Sequence, residues 1–245
     1  MQEEIQKEKQ VPSCVGIIMD GNRRWAKEKG LSSIDGHTRG YEKLKEVVEW
    51  MREIKIPNLI VYAFSTENWG RPKEEVSFLM KLLRKILSEQ IEDFNKKGVR
   101  LIFAGDIKRF PEDIQKLASD AEEKTKNNKE HTLVLCISYG GRTEILHVVN
   151  NLLKERTKGK IKEKEEFGDN LISEEEFSQA LWTKDVPDPD IIIRTSGEKR
   201  LSGFLTWQSV YSELFFPKTH WPAFSKEEFL DILKEFSSRE RRHGK

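Results

Sequence analysis

Six short apolar runs punctuate the chain: CVGIIM (14–19), NLIVYAF (58–64), VRLIFAG (99–105), HTLVLCIS (131–138), DIIIRT (190–195) and a brief ELFF (213–216). Most are continuously apolar rather than alternating, the pattern of strands covered on both faces of a parallel sheet. Between them lie helical patterns at about 22–30, 39–54, 73–97, 111–127, 141–155, 173–182 and 225–240. Gly30 and Gly98 sit where helices should end, Pro72 and Pro111 where they should begin, and Ser173 with Glu176 forms a capping-box pattern. Strands alternating with helices predict an α/β fold: one domain, with a central, mostly parallel sheet of about six strands flanked by helices. In such sheets ligands gather beyond the carboxyl ends of the strands. The helix at 73–97 carries Val76, Leu79, Leu83, Ile86, Leu87, Ile91 and Phe94 on one broad stripe. That stripe describes a core-facing helix, and the lining of an apolar tunnel would look identical.

Composition adds limits. The 245 residues hold 43 Lys+Arg against 42 Asp+Glu, a formal charge of +1. Anion binding must therefore be local, and nucleic acid is not expected as a partner. Cys14 and Cys136 both fall inside strand patterns and read as buried, reduced thiols. The first residues, MQEEIQKEKQ, lack the apolar stretch of a signal peptide, and no apolar run is long enough to span a bilayer. The expected location is the cytoplasm, with room for peripheral contact at a membrane. The charged stretch 154–170 reads as an exposed loop or a helix extension.

Candidate chemistry collects where strands end. In MDGNRRWA, Asp20 closes the first strand, Gly21 and Asn22 make a turn, and Arg23 and Arg24 open a helix. Two arginines on a positive helix pole make sense if an anion such as phosphate binds there. A divalent cation would reconcile Asp20 with that phosphate. Taken alone, the same residues also describe a turn with solvated arginines. A second basic loop, IIIRTSGEKRLSGF (191–204), interleaves Arg194, Lys199 and Arg200 with small residues. Two anion sites at strand ends suggest two phosphorylated ligands, or one long one. YAFSTENWGRP (62–72) places Asn68, Trp69 and Arg71 at a third strand end, where Trp69 suits either an apolar ligand or the core. DGHTRG (35–40) contributes His37, and SYGGRTEI (138–145) adds a Gly-Gly turn with Arg142.

Together these residues resemble the cis-prenyltransferase family, of the undecaprenyl or polyprenyl diphosphate synthase type, from about residue 14 to the C-terminus. The motifs that carry it are MDGNRRWA, GHTRG, YAFSTENWGRP, SYGGRTE, DIIIRTSGEKRLSGFLTWQSVYSELFF and WPAF. The resemblance implies a homodimer with an apolar tunnel. It implies Mg²⁺-dependent, repeated cis addition of isopentenyl diphosphate to an allylic diphosphate, farnesyl or geranylgeranyl, giving a long-chain polyprenyl diphosphate lipid carrier. The catalytic domain would span 13–240, after a polar segment 1–12 and before a basic tail 241–245.

Roles carry over by motif. Asp20 and Asn68 match the catalytic positions, Asn68 assisting proton removal. Gly21, Asn22, Arg23, Arg24, Trp25 and His37 match the surroundings of the allylic diphosphate, and Ser65, Thr66, Glu67, Trp69 and Arg71 match further substrate-binding positions. Arg194, Arg200, Leu201 and Ser202 match the clamp on isopentenyl diphosphate. Asp20 and Glu213 match metal-associated carboxylates, and Arg242-His243-Gly244 matches an R-x-G element that reaches a partner subunit. The chain departs from common family patterns at Arg23, Ser33, Lys199, Val134 and Ser138. Two other classes compete: a non-catalytic subunit of a heteromeric cis-prenyltransferase, which usually loses the aspartate loop, and a nucleotide-binding protein, whose Gly-rich fingerprints are missing.

Overall fold

The continuous apolar runs become strands almost where expected: β1 (Cys14–Ile18), β2 (Asn58–Ser65), β3 (Val99–Ala104), β4 (His131–Tyr139), β5 (Ile191–Arg194) and β6 (Glu213–Phe215). A computed structural model of the chain describes residues 11–157 and 171–239. The strands form one sheet in the order β3-β4-β2-β1-β5-β6, and each adjacent pair is parallel. Eight α-helices occupy the described residues: α1 (Asn22–Glu28), α2 (Ser33–Ile54), α3 (Lys73–Glu89), α4 (Ile91–Lys96), α5 (Glu112–Thr125), α6 (Gly141–Thr157), α7 (Glu174–Gln179) and α8 (Lys226–Ser238).

Alternate residues of β1 to β5 feed two cores. Val15, Ile17, Val61 and Ile193 pack with apolar residues of α2, α3, α4, α5 and α8. Cys14, Ile18, Ile60 and Ile192 face the other way, onto Tyr139, Phe204 and Leu205. Both cysteines are free and buried, and burial pushes both thiols well above their usual pKa. From β1 the chain runs on to its neighbour β2, and from β5 to β6 on the opposite side. The ends of β1 and β5 therefore flank a switch point, where a crevice opens in folds of this class.

Two helices depart from expectation. The pattern at 73–97 splits at Gln90 into α3 and α4. The helix expected from 39 begins at Ser33, with a reciprocal capping box between Ser32 and Asp35. Gly36 and Gly40 hid that first turn, because glycine disfavours helix interiors. Their reason is contact with α1. A Cβ on Gly36 would sit 2.3 Å from the Asn22 carbonyl oxygen, and one on Gly40 would sit 2.3 Å from Asn22 Oδ1. The R-x-G element, segment 1–10 and residues 158–170 lie outside the described residues. Among those described, no helix is long and apolar enough to cross a membrane.

Candidate active site

Asp20 leaves β1 at the switch point and meets Arg194 from the end of β5, the residue in register with Ile18. Arg194 Nη2 donates to Asp20 Oδ2 at 2.8 Å, and Arg24 Nη2 lies 2.9 Å from Oδ1. Burial works against ionisation of Asp20, but the bonds from Arg194 and Arg24 outweigh it and hold the carboxyl below its usual pKa. The Asp20 carbonyl is fixed as well, by Thr195 Oγ1 at 2.6 Å, Ser196 Oγ at 3.1 Å and the Trp221 amide at 3.0 Å. Arg194 is buried, and its Nη1 donates to the Arg200 carbonyl at 2.5 Å and to Ser202 Oγ at 2.8 Å. The loop after β5 turns tightly enough that Ser196 and Ser202 both adopt positive φ.

Two carboxylates that the sequence did not single out organise the cations. Glu198 accepts from Arg24 at 3.2 Å and from Arg200 at 2.5 Å, so it bridges the two basic loops. Glu75, buried at the start of α3, accepts from Arg71 at 2.9 Å, pairs with His37 at 3.0 Å and lies 3.8 Å from Arg23. In sequence both look like ordinary surface acids, one at a helix start and one in a loop. Only the fold shows what faces them. His37 is kept neutral: desolvation lowers its pKa, and the nearby Arg71 and Arg23 add to that against the pull of Glu75.

Two cavities share a wall. A polar cavity of about 770 Å³ is lined by Asp20, Gly21, Asn22, Arg23, Arg24, Lys27, Ser33, His37 and Arg71, among others. An apolar cavity of about 120 Å³ lies between the sheet and α2 and α3. Met19, Asn22 and His37 line both. An amphipathic ligand with an anionic head would fit across that wall.

The other expected positions fall around this frame. Ser65 and Asn68 cap a short turn, the Ser65 amide donating to Asn68 Oδ1 at 3.2 Å. Thr66 donates to Glu67 at 3.1 Å. Trp69 is held largely by the core: it packs on Phe64 at 4.9 Å and Phe110 at 5.2 Å, and donates to Ser138 Oγ at 3.0 Å. Leu201 packs against the second core. Trp25, on α1, lines neither cavity. Glu213 is not brought to Asp20 within one chain. It opens β6 in register with Ile191, at the far end of the sheet from Asp20, and pairs with Arg239.

Among the described residues no group of three His, Cys, Asp or Glu side chains gathers to hold a metal. Magnesium is commonly held by one or two carboxylates together with substrate phosphates. Asp20, a lone carboxylate facing a cation-lined cavity, fits a metal that arrives with a diphosphate rather than one the protein holds alone.

Residues 18–244 match the family model described as putative undecaprenyl diphosphate synthase. The isoprenyl transferase of Thermotoga maritima is 48% identical over 234 residues, covering 96% of this chain and 97% of that one. A ditrans,polycis-undecaprenyl-diphosphate synthase of Legionella pneumophila, named as specific for (2E,6E)-farnesyl diphosphate, is 41% identical and covers 96% of each chain. Among solved structures, lavandulyl diphosphate synthase from Lavandula x intermedia, crystallised with dimethylallyl diphosphate, superposes with a TM-score of 0.88 at 31% identity, covering 96% of this chain and 98% of that one. A probable undecaprenyl diphosphate synthase from Campylobacter jejuni gives 0.78 at 34% identity, covering 97% of this chain and all of its own. The fold and these matches agree, and the chain belongs to the undecaprenyl diphosphate synthase family of prenyltransferases.

Proposed function

We propose that the chain catalyses repeated cis condensation of isopentenyl diphosphate onto an allylic diphosphate, farnesyl or geranylgeranyl, giving a long-chain polyprenyl diphosphate. The observation that carries this is the shared wall of Met19, Asn22 and His37, with cations on one side and alkyl side chains on the other. The allylic diphosphate occupies the polar cavity, against Arg23, Arg24 and Arg71, and its chain enters the apolar cavity, which widens into a tunnel as the product grows. Isopentenyl diphosphate is held by Arg194, Arg200 and Ser202 across the switch point.

The terminal alkene carbon of isopentenyl diphosphate attacks C1 of the allylic chain. The C1–O bond breaks, and its electron pair leaves with the diphosphate. A proton then departs from C2 of the former isopentenyl unit to form the new double bond. Arg23 and Arg24 are in place before charge develops on the leaving group, so no reorganisation is needed as it forms. Asp20 fixes both Arg24 and Arg194, which holds the two diphosphates in register and supplies proximity. Magnesium, when bound with the allylic diphosphate beside Asp20, neutralises leaving-group charge. Asn68, a neutral amide, assists by orienting the departing proton, which a diphosphate oxygen accepts.

The protein works as a homodimer, which suits the exposed Leu214 on the edge strand β6 and Val210 just before it. Its product's apolar tail brings it against a membrane at release. The test is incubation with Mg²⁺, labelled isopentenyl diphosphate and farnesyl diphosphate, followed by sizing of the dephosphorylated products and assignment of double-bond geometry. A ladder of cis-extended polyprenols is expected. No product from any allylic starter would overturn the reading in favour of a non-catalytic subunit.

A further inference from the structure

The carboxyl end of β4 is irregular. Phe64 of β2 pairs with Ile137, and Ser65 pairs with Tyr139, so Ser138 is an extra residue on β4 with no partner opposite it. An extra residue of this kind is a β-bulge, which re-aims a side chain at the end of a strand. Ser138 also has a φ of 47°, in the left-handed region that a residue other than glycine enters at a cost. The end of β3 locks this conformation. The Asp106 amide donates to the Ser138 carbonyl at 3.2 Å, and a Cβ on Gly105 would run into the Ile137 carbonyl oxygen. Glycine would take the backbone of Ser138 without strain. What serine adds is a fully buried hydroxyl, and that hydroxyl accepts from Trp69 Nε1 at 3.0 Å.

Trp69 belongs to the turn Thr66–Gly70 that follows β2 and carries Asn68. Its ring meets Phe64 at 4.9 Å and Phe110 at 5.2 Å, and the Arg109 guanidinium lies 5.2 Å from its centroid. Ring contacts tolerate sliding and rotation. The bond to Ser138 is directional, so it fixes the angle of the indole. Asn68 has two other restraints. Its carbonyl accepts from the Arg71 amide at 3.1 Å, and its Oδ1 accepts from the Ser65 amide at 3.2 Å. Both lie within the turn or beside it, so they shape the turn without tying it to β4. The Trp69–Ser138 bond makes that tie.

We propose that Ser138 is a positioning residue for proton removal, setting Asn68 through the Trp69 indole. This rests on the role given to Asn68 above. The side-chain oxygen of Asn68 is engaged by Ser65, and its Nδ2 hydrogens hold the diphosphate oxygen that takes the proton. The C2–H electron pair becomes the new double bond, and the proton goes to that oxygen. If the indole rotates, Asn68 turns with it and the accepting oxygen leaves the line of the C2–H bond.

Turnover with isopentenyl diphosphate deuterated at C2 tests this. Ser138→Gly removes the hydroxyl and relieves the left-handed backbone, so the fold is kept. Trp69→Phe keeps a ring against Phe64 and Phe110 and removes the N–H. Each is expected to lower kcat by about 10-fold, inside the roughly 10²-fold that a 1 Å misplacement can cost. Neither KM should change much. Each should also show a larger deuterium isotope effect on kcat than wild type, because proton removal becomes slow. The double variant should be no worse than either single one, since both break the same bond. Asn68→Ala separates the two readings. A loss of turnover there, with wild-type kcat and isotope effect in both Ser138→Gly and Trp69→Phe, would overturn the role of Ser138 and leave that of Asn68 standing. Wild-type turnover in Asn68→Ala would overturn both. A lower kcat in the Ser138 and Trp69 variants with an unchanged isotope effect would mean that the bond serves packing alone, and the proposal would fall.

Discussion

Asp20 spends both carboxylate oxygens on guanidinium groups, one from its own loop and one from the end of β5. Asp20→Ala therefore has two consequences. Turnover should fall by about 10³-fold or more, the scale seen when one preorganised electrostatic group is lost. Buried Arg194 would keep its bonds to the Arg200 carbonyl and Ser202, so the fold should survive with a lower melting temperature. Wild-type turnover in Asp20→Ala would remove Asp20 from the mechanism. His37 gives a second residue-scale prediction. Its folded pKa is lowered by burial, so the unfolded chain takes up the proton first as pH falls. Its contribution to stability is complete above the ordinary histidine pKa of about 6.5 and is lost as pH drops from there toward the lowered value. His147 is shifted the same way and adds to the same window. The melting temperature of wild type should decline between about pH 6.5 and the lowered pKa, and His37→Asn should flatten that decline. An identical slope in the variant would show that the fold does not lower the His37 pKa.

At the scale of elements, the approach of α1 to α2 decides where the arginines point. Asn22, Arg23 and Arg24 ride on α1, whose first residue rests on Gly36 and Gly40 of α2. A Cβ at either glycine meets Asn22 atoms at 2.3 Å, and those are backbone or short side-chain atoms that cannot swing away. Gly40→Ala should therefore cost about 1–3 kcal/mol, as overpacking does. It should also raise KM for the allylic diphosphate, because it displaces the cation-bearing helix. Calorimetry and steady-state kinetics would check this, and a stable variant with unchanged KM would break the link between helix contact and site. This contact also shows where sequence stops being informative. Strands β1 to β6 were legible to within a residue or two, because each is a run of apolar residues with nowhere else to go. The loop DGHTRG was not, since its glycines look like breakers until α1 is placed against them. Glu75 and Glu198 were illegible for a related reason: an acid at a helix start or in a basic loop has a sufficient local explanation. Their partners His37, Arg71, Arg24 and Arg200 come from other elements. Glu213, matched by motif to a metal role, is in register with Ile191 at the opposite end of the strands from Asp20 within one chain.

At the scale of the whole molecule, a chain of net charge +1 concentrates its anion affinity in one crevice. Arg23, Arg24, Lys27 and Arg71 line a single cavity, and Glu198 already occupies two of the cations that flank it, Arg24 and Arg200. That carboxylate is an internal competitor for whatever diphosphate arrives. Inorganic diphosphate at about 100-fold over its Kd should stabilise the fold by about 2.7 kcal/mol, which for a domain of this size is a rise of roughly 5–10 °C in Tm. Added salt should erode the shift, since these are charge–charge contacts reached by solvent. Glu198→Gln keeps the shape of the side chain and removes its charge, freeing Arg24 and Arg200. The variant should reach the same Tm shift at several-fold lower diphosphate. The opposite result, weaker binding in Glu198→Gln, would mean that the carboxylate aims the two arginines instead of competing for them. In that case the two basic loops would be held in register by Glu198 just as β1 and β5 are held by Asp20 and Arg194, and the crevice would be built before any substrate enters it.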